Sequence, residues 1–151
     1  MQVEGLCHTS WLLSASLLLG ANSVVADPAA IVKLPQDITF KGSGGGVQIA
    51  VLYGDPAKPG LYVVRLKLPG GAKVGPHTHS EEVRTLTVLS GTLFSGSAKE
   101  SKLTPYPAGT FFSELPNVPH FVSAKDGEVI VQATCIGPSA LIPVQQSPKR
   151  R

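Results

Sequence analysis

Cysteine is scarce in this sequence, which has only Cys7 and Cys135 among its 151 residues. Cys7 lies in an N-terminal segment that we expect to be removed, so the mature chain has no intrachain disulfide. The stability of the fold must therefore come from a packed core. Cys135 lies in the apolar run VIVQATCIG, and we expect this thiol to be buried and inert. It is not poised near a basic group, and no motif surrounds any serine, so the sequence does not support nucleophilic catalysis.

The chain also lacks an apolar run of the roughly 20 residues that a membrane-spanning helix needs. The shorter run WLLSASLLLG at 11–20 is followed by ANSVVADPAA, in which Val24 and Ala26 precede a plausible cleavage point. This layout predicts a secretory signal peptide over residues 1–26 and a periplasmic or secreted protein that begins at Asp27. The residues before the run contain no lysine or arginine, which is unusual for such a peptide. A buried N-terminal helix is the alternative.

Charge is sparse as well, because charged residues make up only 15% of the chain and the formal net charge is +3. The basic residues are scattered apart from the terminal PKRR, and no basic run is interleaved with aromatic residues. We therefore expect no nucleic-acid partner. The glycine-rich stretch GSGGG at 42–46 lacks the Lys-Ser/Thr pair and the helix of a phosphate-binding loop, so we interpret it as a flexible turn.

Helical periodicity is absent after residue 27, where apolar residues alternate or fall in short runs broken by glycine and proline. This pattern predicts about nine short strands, in the segments DITFK, GVQIAVLYG, LYVVRLKL, RTLTVLSG, TLFSG, SAKESKLTPYPAG, TFFSEL, HFVSA and EVIVQATCIG. Many short strands with turns between them indicate an all-β sandwich or barrel. We place one domain at 37–138, an N-terminal extension at 27–36, and a partly disordered tail at 139–151.

Two of the four histidines stand one residue apart, His77 and His79, just after the turn-rich connection PGGAKVGP. Residues i and i+2 of a strand point to the same side, so these two imidazoles are expected to project together. Their surroundings have a fixed spacing: Gly71, five residues, the His-x-His pair, four residues, Arg84, six residues, and Gly91.

A second spaced pattern follows. Gly109 opens it, Leu115 comes six residues later, and Asn117, His120 and Ala124 complete it. His120 comes after a tight turn on a later strand, and we expect it to converge on the first two histidines across the barrel. Three neutral imidazoles suit a divalent transition metal such as Fe, Mn, Ni, Zn or Cu.

The two patterns resemble the paired motifs of the cupin superfamily, over roughly residues 60–138. Leu115 stands where the second motif has proline, Asn117 where it has glycine, and Ala124 where it has asparagine. The exchange at Asn117 is mild, because asparagine tolerates a positive φ better than most residues. The resemblance implies a double-stranded β-helix, that is, a jelly-roll barrel. It implies a metal held by His77, His79 and His120, a small-molecule substrate or ligand, and a homodimer that covers strands apolar on both faces.

Arg84 stands where metal-binding cupins usually carry a glutamate, and a guanidinium cannot ligate a metal. Three solutions remain open. Glu82 or Glu81 turns inward after a one-residue shift, Glu114 supplies the carboxylate and pairs with Arg84, or the site has three histidines alone. Arg84 itself either faces solvent or clamps an anionic substrate with its bidentate fork. Arg84 and Glu114 are thus the candidates for a catalytic role.

Two functional hypotheses follow from the resemblance. The first is an exported metal-dependent enzyme of the oxygenase, lyase or isomerase type that acts on a small molecule. The second is a cupin module that binds a small ligand or a metal without turnover. Neither the substrate nor the metal follows from the sequence, because function resides in the site and not in the fold.

Overall fold

Strands dominate the computed structural model, which describes residues 30–42, 46–81, 83–97 and 102–145. The predicted signal peptide and Glu82 lie outside the described residues. One turn of 3-10 helix, Pro35–Asp37, precedes the strands. The described strands are β1 (Lys41–Gly42), β2 (Gln48–Tyr53), β3 (Gly60–Leu68), β4 (Lys73–His79), β5 (Arg84–Ser90), β6 (Thr92–Ser97), β7 (Thr104–Pro107), β8 (Phe111–Ser113), β9 (His120–Ser123), β10 (Val129–Gly137) and β11 (Leu141–Pro143). The prediction of an all-β chain is confirmed for this part of the sequence.

The strands form two antiparallel sheets. One has six strands in the order β1-β2-β3-β10-β5-β8, and the other has five in the order β11-β4-β9-β6-β7. Strand β10 lies at the centre of the first sheet and pairs with β3 and β5. Its alternate residues Val129, Val131, Ala133 and Cys135 are buried, because the side chains of a strand point alternately to the two faces of the sheet.

The inner face of the six-stranded sheet supplies most of the hydrophobic core. The buried cluster comprises Val47, Tyr62, Val64, Leu68, Leu86, Val88, Leu93, Ala124, Val129, Val131, Ala133 and Cys135. Cys135 is fully buried, as the sequence predicts. Within the described ranges, no helix has the length and apolarity that crossing a membrane requires.

Three elements differ from the sequence prediction. The segment DITFK contributes only Lys41 to a strand, because the chain before it forms the 3-10 helix. Strand β4 starts at Lys73, inside the predicted connection, because the turn is completed by Ala72, whose N–H donates to Pro69 O at 2.9 Å. The predicted tail contains β11, which pairs with β4 and covers its edge. A proline-rich composition suggested a tail here, yet the backbone of this segment hydrogen-bonds to the sheet.

Candidate metal site

The five-stranded sheet brings the three predicted histidines together. His77 and His79 lie at the end of β4, and His120 begins β9 directly opposite His77 in the antiparallel register. One ring nitrogen from each histidine lies within 4.8 Å of those of the other two. His77 and His79 are buried and His120 is partly buried. The predicted convergence of these residues is therefore confirmed.

Backbone carbonyls fix the orientation of two of the rings. His77 Nδ1 lies 2.7 Å from Gly75 O, and His120 Nδ1 lies 3.0 Å from Val118 O. A carbonyl only accepts hydrogen bonds, so each Nδ1 carries the proton and each Nε2 keeps a free lone pair. This is the tautomer that allows Nε2 to ligate a metal.

The third ring, His79, has no such carbonyl. Its Nδ1 is buried without a hydrogen-bond partner among the described residues and lies 3.9 Å from Glu81 Oε2, which is also unpartnered. Burial, and then the neighbouring Arg84 guanidinium, lower the pKa of His79 to about 4. Burial also lowers the pKa of His77. Both rings are therefore neutral at pH 7, which is the form that binds metal.

Arg84 points into the molecule and is only 7% exposed. Its Nε donates a 2.6 Å hydrogen bond to Glu114 Oε2, and its Nη1 lies 3.6 Å from Glu81 Oε1. The interpretation of Arg84 as a surface cation is therefore wrong. The statement that Cys135 is remote from basic groups is also wrong, because Arg84 Nη1 donates to its Sγ at 3.4 Å. Burial nevertheless raises the pKa of Cys135, so the thiol stays protonated at neutral pH.

Glu114 connects the arginine to the histidines. It follows β8, and its N–H donates to Arg84 O at 3.0 Å, which places the two side chains side by side. Its Oε1 lies 3.2 Å from His120 Nε2, and its Oε2 lies 3.6 Å from His79 Nε2. Burial acts to raise the pKa of Glu114, but contacts with His120 and Arg84 outweigh it and lower this pKa to about 2. Burial likewise acts to lower the pKa of His120, and Glu114 outweighs it and raises that pKa.

Glu81 anchors the other side of Arg84. Its Oε1 accepts hydrogen bonds from Tyr62 Oη at 2.9 Å and from Ser139 Oγ at 2.6 Å. Tyr62 also belongs to the buried hydrophobic cluster, so it contributes both packing and a hydrogen bond. Ser139 was missed because it lies in the predicted tail, and no local pattern marks it. Only the return of the chain after β10 brings this hydroxyl to the site.

The turn before His120 has the backbone geometry that the sequence required. Asn117 has a φ of 59°, so asparagine does stand where the cupin motif needs a residue that tolerates the left-handed region. Its N–H donates to His79 O at 2.8 Å, which ties this turn to the end of β4. The tie holds the strands that carry the histidines together.

A cavity of about 390 Å³ opens beside these residues. Its wall includes His77, His79, Arg84 and Glu114, and apolar side chains from both sheets complete it. The histidine cluster thus borders a space large enough for a small organic molecule.

The donor set fits a divalent transition metal. His120 Nε2 is buried and faces Glu114 Oε1 at 3.2 Å, and a metal ion would satisfy both the lone pair of the neutral ring and the carboxylate oxygen. Three imidazoles and the nearby Glu114 carboxylate are ligands that Fe, Mn, Ni, Zn and Cu accept. Glu81 and Glu114 also compensate the positive charge of Arg84, and the contact with Glu114 is one of the alternatives that the sequence left open.

The fold has many counterparts among solved structures. The polyketide cyclase RemF from Streptomyces resistomycificus is 12% identical, with a TM-score of 0.68 over 80% of this chain and 89% of that one. An RmlC-like cupin from Shewanella frigidimarina is 18% identical, with a TM-score of 0.59 over 72% and 91%. A predicted oxalate decarboxylase from Thermotoga maritima is 23% identical, with a TM-score of 0.58 over 70% and 97%.

These likenesses concern the fold. No protein-family model matches the sequence, and no curated protein matches it. The structural neighbours nevertheless agree with the fold that the two sequence motifs predict, the double-stranded β-helix. At identities this low, the neighbours do not carry a reaction over to this chain.

Proposed function

We propose that this chain is a metal-dependent cupin that binds a divalent transition metal through His77, His79 and His120 and acts on a small molecule in the adjoining cavity. The observation that carries the proposal is the convergence of three histidines, two of them with Nδ1 held by carbonyls, at the wall of that cavity. Structural neighbours that include a polyketide cyclase and a predicted oxalate decarboxylase support small-molecule chemistry.

Glu114 completes the donor set in this proposal. A carboxylate whose pKa is lowered to about 2 is a weak base at neutral pH, so Glu114 suits metal ligation better than proton abstraction. Arg84 holds the Glu114 carboxylate beside the histidines and is a positioning residue, with no role as a clamp on substrate. A bound metal would supply Lewis acidity to an oxygen atom of the small molecule.

A binding module without turnover is the second candidate. It is favoured by the mutual pairing of Arg84, Glu81 and Glu114, which leaves these three groups committed to one another. An enzyme with this site would depend on the metal for its reactivity, whereas a binding module needs only affinity for its ligand. Turnover of a ligand found to bind the cavity distinguishes the two.

The metal site is tested by titrating untagged protein comprising residues 27–151 with Mn(II), Fe(II), Ni(II) and Zn(II) and measuring the bound stoichiometry. We expect one ion per chain, and we expect His77→Ala or His120→Ala to lose most of it while circular dichroism stays unchanged. Thr78→Ala is the matched control, because Thr78 lies between the two histidines and points to the other face of β4. Full retention of metal by both histidine variants would sink the proposal.

We also propose export, with residues 1–26 acting as a signal peptide and cleavage after Ala26. The support is the apolar run followed by Val-Val-Ala in the sequence. N-terminal sequencing of protein from the cell envelope or the culture medium should begin at Asp27. An intact Met1 on cytosolic protein would contradict this proposal.

A further inference from the structure

The cavity beside the histidine cluster is too large to be a packing defect. Protein interiors are close-packed, and their few voids are seldom much larger than a water molecule. A volume of about 390 Å³ instead falls in the range of small-molecule sites. Its walls come from both sheets and are mostly aliphatic, with Val64 and Leu66 of β3, Leu86 of β5, Leu93 of β6 and Val122 of β9. An occupant of this space therefore meets hydrocarbon along most of its surface.

The polar groups on the cavity wall are already engaged with one another. Tyr62 Oη and Ser139 Oγ both donate to Glu81 Oε1. Arg84 lies between the carboxylates of Glu81 and Glu114, so its positive charge is compensated. An anionic substrate that approached Arg84 would have to displace Glu114 from a 2.6 Å hydrogen bond.

Lys73 is the other cation among the described residues that line the cavity. Its side chain is exposed to solvent, so it does not compensate a charge buried against the aliphatic walls. Burying an unpaired carboxylate there would be strongly unfavourable. A bound divalent metal would pair with one anionic group at the histidines, so the wall selects against small dianions, whose second carboxylate would be unpaired, and favours ligands with an uncharged, apolar body.

We propose that the ligand of this cavity is a small, largely apolar molecule with an uncharged body, with one oxygen atom directed at the cluster of His77, His79 and His120. The inference rests on the proposed function for the role of the metal, and it adds the chemical class of the ligand. The aliphatic walls hold the body of the molecule. The oxygen atom meets the histidine cluster through His77 and His79, which line the cavity.

Fluorescence of the neutral probe N-phenyl-1-naphthylamine tests this inference on zinc-loaded and metal-free protein in parallel. The competitors are 2-naphthol, which is apolar with one hydroxyl, naphthalene, which lacks the hydroxyl, and succinate, a small dianion. We expect saturable binding of the probe and its displacement by 2-naphthol. Naphthalene should need a concentration at least about 10-fold higher, as loss of one good polar contact implies. Succinate should not displace the probe.

The outcomes separate the two proposals. If zinc binds but the probe does not, or if succinate displaces the probe as well as 2-naphthol does, the ligand class is wrong and the metal site stands. If 2-naphthol displaces the probe but zinc never binds, the proposed function fails and the ligand class stands. Equal displacement by naphthalene and 2-naphthol would overturn the assignment of the oxygen atom.

A substitution that fills the cavity provides a second test. Ile49 of β2 is half-buried and lines the cavity, so Ile49→Trp should weaken binding of the probe at least about 10-fold and leave the zinc content unchanged. Val32→Trp is the matched control, because Val32 is exposed and does not line the cavity. Equal probe affinity in both variants would contradict the inference. Should Ile49→Trp fail to fold, the competition experiment on the wild type decides alone.

Discussion

Arg84 occupies the place where the metal-binding cupins carry a glutamate, and the structure shows how the exchange is accommodated. A guanidinium in a buried position needs partners, and Glu114 and Glu81 flank it. The carboxylate that the first motif lacks is thus present beside the histidines, but it comes from the end of β8. The interaction of Arg84 with Glu114 depends on the pairing of β5 with β8, which no local sequence pattern encodes.

Removing the charge of Arg84 should destabilise the fold. Arg84→Met leaves Glu114 and Glu81 without their shared cation, and breaking a buried ion pair in this way costs about 3–5 kcal/mol. Urea unfolding of the metal-free protein at pH 7 measures the change. Arg65→Met is the control, since Arg65 is partly exposed and its Nε donates to the neutral Gln132 Oε1 at 3.2 Å. If the free energy of unfolding of Arg84→Met lies within about 1 kcal/mol of the wild-type value, the contacts of Arg84 with Glu114 and Glu81 are not important for stability.

Glu81 is expected to act on the metal through His79. Their unpartnered atoms lie 3.9 Å apart, and a hydrogen bond from Nδ1 to the carboxylate would fix the ring with Nε2 toward the other ligands. Glu81→Gln should therefore weaken Zn(II) affinity about 10-fold to 100-fold. Calorimetric titration measures the affinity, with the exposed Glu128→Gln as control. If Glu81→Gln binds Zn(II) with the affinity and the pH profile of the wild type, Glu81 does not act on the metal. Its role is then to accept the hydrogen bonds from Tyr62 and Ser139.

At the scale of the elements, the strands were predictable where the alternation of apolar residues is strong. LYVVRLKL and EVIVQATCIG became β3 and β10, the two longest strands, because each buries one complete face. Strand β4 was predicted too short and β11 was missed, since glycine and proline in these segments suggested turns. Both are held by pairing with other strands, and pairing is a tertiary property that local composition does not reveal.

Two glycines of the paired motifs, Gly91 and Gly109, test how closely the turns that contain them pack against the neighbouring chain. Gly91 and Gly109 have φ of 74° and 89°, so alanine at either position is strained by about 1–2 kcal/mol. At Gly91 a Cβ would also collide with Glu128 O, whereas nothing lies within 4 Å at Gly109. Gly91→Ala should therefore lose about 1–3 kcal/mol more than Gly109→Ala in chemical denaturation. Equal losses would mean that the loop before β10 moves aside freely.

At the scale of the whole molecule, the outer face of the six-stranded sheet carries exposed apolar side chains among the polar residues of β3, β5 and β10. Its exposed side chains include Tyr53, Leu61, Leu89, Phe111 and Ile136, from five different strands. Strand pairing places Ile136 opposite Leu61, and Phe111 opposite the outward residue Thr87. An apolar surface shared by several strands is typical of an interaction site. This face is where we expect the predicted homodimer to form.

Sedimentation equilibrium tests the dimer. Wild-type protein at micromolar concentration should have twice the mass of the chain, and Phe111→Asp should shift it to monomer because a charge would be buried in the apolar interface. Leu115→Asp, an equally large change at an exposed position after β8, should remain dimeric. A wild-type monomer would refute the prediction, and a dimer unaffected by Phe111→Asp would place the interface elsewhere.

The sequence predicts the fold of the whole molecule more completely than it predicts the chemistry of the site. Two spaced motifs were enough to predict the barrel and to bring His77, His79 and His120 together. The pairing of Arg84 with Glu114 was one of three alternatives that the sequence left open, whereas the cavity could not be predicted, because it depends on how the two sheets meet. A hydrophobic pattern shows which side chains point inward, but it does not show whether they fill the space between the sheets.

The central claim is that the three histidines hold a metal ion, and metal analysis of the native protein tests it most directly. The protein should be purified without a histidine tag from the compartment where it accumulates, and its metal content measured by mass spectrometry. We predict close to one equivalent of a single divalent transition metal per chain, lost in His77→Ala and retained in Thr78→Ala. Wild-type protein that carries no metal, even after refolding with Fe(II), Mn(II), Ni(II) or Zn(II), would contradict the claim.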